Sequence, residues 1–113
     1  MKKTSKNKID ILNRISKEIS RKKNFDPHNS YVSKLLNSNN DLALKKIGEE
    51  SAEFIIAAKN GEKKQIIHET ADLFFHILVG LELFEVDFDK VLEELENREG
   101  ISGIDEKKAR GQS

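Results

Sequence analysis

Residues 45–76 read KKIGEESAEFIIAAKNGEKKQIIHETADLFFH, and this stretch decides the fold. Asn60-Gly61 divides it, because a glycine just past a helix accepts the left-handed conformation that ends one. Long apolar-rich segments flank the break. The spacing predicts one helix from about Asp41 to Lys59 and a second from about Glu62 to Phe84. Two helices joined this tightly must run antiparallel, with an equal rise of about 1.5 Å per residue on each arm. Glu53 lies eight residues before Gly61 and Glu69 eight after; Glu50 lies eleven before and Asp72 eleven after. Glu53 is therefore level with Glu69, and Glu50 with Asp72. Lys46 and His76 match in the same way, each fifteen residues from the glycine.

Outside the hairpin the pattern stays helical. Ile9, Leu12, Ile15 and Ile19 form an apolar stripe on a helix over about residues 6–22. Asn24 to Ser30 contains the chain's one proline, Pro27, and reads as a linker. Ser30 can cap a short helix reaching Leu36, with Val32, Leu35 and Leu36 inward. Asn37 to Asn40 is a second break. Asp87 can cap a last helix with Phe88, Val91, Leu92 and Leu95 on one face, and Gly100 ends it. No segment alternates with period two, so the expected class is all-α. The chain of 113 residues is read as a single domain, with flexible ends over about 1–6 and 101–113.

The second arm of the hairpin is apolar nearly all round between Leu73 and Phe84. Such a helix needs cover on several sides, and one small chain offers too few helices to provide it. A helical bundle completed by homodimerisation is expected. Lys and Arg total 20, as do Asp and Glu, so no overall field favours nucleic acid or a membrane surface. The Leu73–Phe84 run is too short to span a bilayer, the basic N-terminus lacks an apolar core for a signal peptide, and cysteine is absent. Thiolate metal sites are excluded, and a cytoplasmic location is expected.

Glu50 and Glu53 share one helix face, as do Glu69 and Asp72, by their i, i+3 spacing. Four facing acids repel, and a cation relieves that repulsion. Oxygen-only ligands select hard ions, so Mg²⁺ is expected, with Mn²⁺ as a substitute. The competing reading is a solvated acidic face. Against it, Gln65, Glu69, Asp72 and His76 form a narrow polar stripe on an otherwise apolar helix, and a buried polar stripe needs partners.

At these residues the sequence resembles the all-α NTP pyrophosphatase (MazG-like) superfamily, whose signature is E-x-x-E followed by E-x-x-D. Within it the chain is similar to the phosphoribosyl-ATP pyrophosphatase family over about Ile15 to Arg110. Ser30 to Leu36, Lys45 to Glu53, Ala57 to Gly61, Glu69 to His76 and Ser102 to Arg110 carry the likeness. The family's usual glycine after the Ser30–Leu36 segment is replaced by Asn37 to Asn40, and a usual tail glutamate by Asp105. No cyclohydrolase domain is read in the chain, which would make it the monofunctional form.

The resemblance implies Mg-dependent hydrolysis of phosphoribosyl-ATP to phosphoribosyl-AMP and pyrophosphate, the second step of histidine biosynthesis. Glu50, Glu53, Glu69 and Asp72 would hold the metal, with Glu49 or Glu50 serving catalysis. Glu49 is the candidate base or second-metal ligand, or else a solvated helix residue. Lys46 either binds phosphate or bridges the acids. His76 is read as a support for a ligand carboxylate or a core histidine rather than a direct ligand. Ser30, Tyr31, Lys107 and Arg110 are the remaining substrate-binding candidates, with Lys108 beside them; their plainer readings are a cap, a packed aromatic and a basic tail. Two other functions stay open: a house-cleaning NTP pyrophosphatase, and a non-catalytic dimerisation module with a structural metal.

Overall fold

The computed structural model describes residues 7–100 together with Gly111. The described residues hold five α-helices and no strand: α1 (Ile11–Arg21), α2 (Tyr31–Asn37), α3 (Asn40–Asn60), α4 (Lys63–Leu83) and α5 (Phe88–Arg98). Single 3₁₀ turns, Lys8–Asp10 and Lys22–Asn24, flank α1. The expected all-α class holds. The expected flexible ends, and with them Lys107, Lys108 and Arg110, lie outside the described residues.

The starts of α2, α3 and α5 follow the capping chemistry. The side chains of Ser30, Asn39 and Asp87 accept from the backbone N–H of Ser33, Leu42 and Asp89. Each satisfies a donor the helix leaves orphaned. Gly61 closes α3 with φ 74°, its N–H donating to the carbonyls of Ala57 and Ala58. α3 and α4 then share the most extensive helix–helix contact among the described residues.

α4 closes on a left-handed residue that is not glycine. Glu85 has φ 58°, its N–H reaches the Glu82 carbonyl at 3.0 Å, and the Val86 N–H reaches the Leu81 carbonyl at 2.9 Å. These are the two bonds of a Schellman stop, with a Cβ where glycine is preferred. A left-handed non-glycine residue costs about 1–2 kcal/mol, part of which glycine returns as unfolded-chain entropy. Glu85→Gly is therefore expected to stabilise the fold by about 0.5–1 kcal/mol. Urea unfolding checks it, and a lowered midpoint would refute it.

The core lies away from the turn of the hairpin. Ile19, Val32, Leu35, Leu36, Leu78, Val79 and Phe88 bury against one another, bringing α1, α2, α5 and the second half of α4 together. Val32, Leu35 and Leu36 point inward as expected. Ile9 and Leu95 do not: Ile9 is in the 3₁₀ turn before α1, and both side chains are exposed. The tighter turn rotates Ile9 off the stripe that Leu12, Ile15 and Ile19 continue. On the hairpin, Leu44, Ile55, Ile56, Ile67, Phe74 and Ile77 also remain exposed.

Candidate active site

Of the residues level across Gly61, Glu50 and Asp72 come together in three dimensions. Carboxylate oxygens of Glu50, Glu69 and Asp72 all lie within 4.8 Å of one another. Glu50 comes from α3, and Glu69 and Asp72 come from successive turns of α4. Glu69 is buried at 6% exposure, and the Glu50 side chain is only 12% exposed. Two carboxylates at that separation repel by roughly 3 kcal/mol at the effective dielectric of such a site.

Neighbouring groups offset part of this. Gln65 donates through Nε2 to Glu69 at 2.7 Å. Lys46 Nζ is 3.8 Å from Glu50 and 3.3 Å from Glu49. His68, exposed on α4, places Nε2 3.4 Å from Asp72, a contact its i, i+4 spacing allows. Three carboxylates and no sulfur or paired imidazoles make a donor set of hard oxygens, which suits a small hard cation such as Mg²⁺.

Glu53 is not part of this trio. Its side chain lines a hollow with Ile56, Ala57, Asn60, Glu62, Gln65 and Glu69, nearer the hairpin turn. Glu49 also stands apart, its carboxylate engaged by Lys45 at 3.9 Å and by Lys46. That pairing with Glu49, helped by the neighbouring Tyr31 and Glu50, holds the Lys46 ammonium above its ordinary pKa.

The other end of the site is built by α2. Ser30 caps α2, and this fixes Tyr31 as its first residue. The Tyr31 hydroxyl is 2.8 Å from His76 Nε2, and His76 Nδ1 is 2.8 Å from the Asp72 backbone carbonyl. His76 is buried, with its ring packed edge-on against both Tyr31 and Phe75. His76 thus supports the α4 turn that carries Asp72, and its Nε2 is committed to Tyr31. Desolvation raises the Tyr31 pKa; Lys46 opposes that rise, while the carboxylates of Glu50, Asp72 and Glu49 add to it. Tyr31 and Ser30 also line an open hollow of about 680 Å³ with Pro27, His28, Asn29 and Lys34.

The arrangement joins a cluster of hard oxygen ligands to a lysine, a fixed aromatic side chain and a hollow of small-molecule size. Comparison with known proteins agrees with the motif. Residues 12–99 match the family described as phosphoribosyl-ATP pyrophosphohydrolase. A phosphoribosyl-ATP pyrophosphatase of Nitrosomonas eutropha is 50% identical over 103 residues, 91% of this chain and 88% of that one. One of Nitrosospira multiformis is 52% identical over 101 residues, 89% of this chain and 84% of that one. One of Dechloromonas aromatica is 46% identical over 102 residues, 90% of this chain and 94% of that one. By motif and by extended likeness, this chain belongs to the phosphoribosyl-ATP pyrophosphohydrolase family.

Proposed function

We propose that this protein hydrolyses phosphoribosyl-ATP to phosphoribosyl-AMP and pyrophosphate in histidine biosynthesis, with Mg²⁺ as cofactor. The observation that carries the reading is the meeting of Glu50, Glu69 and Asp72 from facing helices within 4.8 Å. Three acids drawn so close, two of them largely buried, are costly unless a cation joins them.

Glu50, Glu69 and Asp72 hold the ion, and Glu53 completes the set from the next turn of α3. When bound, the cation supplies positive charge to phosphate oxygens and Lewis acidity at phosphorus. Lys46, beside Glu50, offers its ammonium to the phosphate chain. Glu49 holds Lys46 in place, and it is the carboxylate available to take a proton from the attacking water once Lys46 turns to phosphate. Ser30 and Tyr31 contact the nucleoside. Lys107 and Arg110 meet the phosphates.

A second copy of the chain covers the exposed apolar face. Ile67, Phe74 and Ile77 recur at helical spacing on α4, and Ile55 of α3 is level with Ile67 across the turn. No helix among the described residues is long and apolar enough to cross a membrane. The proposed location is the cytoplasm, and neither a membrane nor nucleic acid is a proposed partner.

The test follows pyrophosphate release with Mg²⁺, comparing phosphoribosyl-ATP with a panel of nucleoside triphosphates. Selective release from phosphoribosyl-ATP is expected. Turnover of triphosphates alone would replace this reading with a house-cleaning pyrophosphatase. No release from any substrate would leave a non-catalytic module. Cation binding has its own readout, because Tyr31 is the sole tyrosine and tryptophan is absent. Tyr31 lies in the field of Glu50 and Asp72. Its emission should therefore change on Mg²⁺ titration, and the change should vanish in Asp72→Asn.

A further inference from the structure

Tyr31 is locked in a hydrogen-bond chain whose direction can be worked out. A backbone carbonyl only accepts, so His76 Nδ1, 2.8 Å from the Asp72 carbonyl, carries the proton. In the neutral ring Nε2 is then an acceptor, and the Tyr31 hydroxyl 2.8 Å away must donate to it. A phenol has one proton. With that proton spent on His76, Tyr31 Oη can offer only lone pairs to anything else at the site. A phosphate oxygen is itself an acceptor and finds no partner there. The group that Tyr31 can bind is a donor.

The location narrows which donor. His76 is four residues past Asp72, about 6 Å along α4, so Tyr31 Oη lies roughly one turn beyond the carboxylates. A ribose is joined to its α phosphate by one methylene and one ester oxygen. Phosphates at the carboxylates therefore bring ribose hydroxyls to about this distance, with the remainder of the nucleoside facing the hollow that Tyr31 and Ser30 line.

We propose that Tyr31, oriented by His76, accepts a hydrogen bond from the 2′-hydroxyl of the substrate ribose next to the phosphates, and so selects ribonucleotides over deoxyribonucleotides. This rests on the pyrophosphatase reading above. Tyr31 is a specificity residue, and His76 is the positioning residue that sets the polarity of its hydroxyl. The ion's ligands alone would not distinguish the two sugars.

The experiment uses the full chain with Mg²⁺. Pyrophosphate release from phosphoribosyl-ATP is measured first. Calorimetric binding of adenosine 5′-monophosphate, its 2′-deoxy form and its 3′-deoxy form follows, for the wild type and Tyr31→Phe. In the wild type, removing the 2′-hydroxyl is expected to weaken binding roughly five- to tenfold, with the 3′-deoxy form as the control. In Tyr31→Phe, which keeps the ring and its packing, that difference is expected to disappear. A 2′-deoxy form that binds as tightly as the ribonucleotide, no binding of any of the three, or a preference that survives in Tyr31→Phe would each overturn the inference. A wild type that releases no pyrophosphate defeats the functional reading and this inference with it. An active enzyme blind to the 2′-hydroxyl defeats only the inference.

Discussion

Glu69→Gln is expected to abolish pyrophosphate release while making the metal-free protein more stable. Glu69 is buried among two other carboxylates and accepts from Gln65. The glutamine side chain has the same shape, and its amide oxygen can still accept that bond. What the substitution removes is one negative charge from a repelling trio. After allowing for solvent at the half-exposed Asp72, the gain is about 1–2 kcal/mol. For a chain of this size that corresponds to roughly 5 °C in melting temperature. Saturating Mg²⁺ should reverse the order. A ligand at a hundred times its dissociation constant stabilises the folded state by about 2.7 kcal/mol, and only the wild type should benefit fully. Activity should fall at least about a hundredfold, because the cation loses a ligand that no neighbour replaces. Thermal unfolding with chelator and with Mg²⁺, run beside the activity assay, gives all three numbers. A variant less stable than wild type in chelator, or one stabilised equally by Mg²⁺, would refute the assignment of the trio as a cation site.

Phe74→Lys is expected to convert a dimer to a monomer with the fold intact. Phe74 is 48% exposed and Ile67 is 69% exposed, one helical face apart by seven residues on α4. Exposed apolar residues in such a row mark a contact surface. Burying a phenylalanine is worth about 1.5–3 kcal/mol, and a two-fold interface counts it twice. Losing it should weaken association by roughly two to four orders of magnitude. Because the ring is not in the core cluster, the helical content should be unchanged. Light scattering at micromolar concentration checks both forms. A monomeric wild type would end the dimer proposal, and a variant that stays dimeric would move the interface elsewhere.

These expectations depend on different depths of the molecule. Glu50 and Asp72 meet because helix rise is constant and Gly61 fixes the turn, so counting residues from the glycine sufficed. Ser30 and Asp87 cap as their chemistry requires, for the same local reason. The class of the fold and the facing pair of Glu50 and Asp72 were thus legible in the order of residues. Side-chain rotation about each helix was not, because it is set by what packs on the opposite face. Glu53 was level with Glu69 by count, yet only Glu69 joins Glu50 and Asp72, while Glu53 turns toward the hollow near the hairpin. Tyr31 and His76 are 45 residues apart, and no spacing rule links them. Their bond exists because α2 packs across α3 and α4, bringing its first residue to the turn after Asp72. The sequence alone determined an all-α hairpin with acids facing across it. Which acids converge, and which way the hydroxyl beside them points, was decided only by tertiary packing, since these depend on distances between segments that local geometry does not specify.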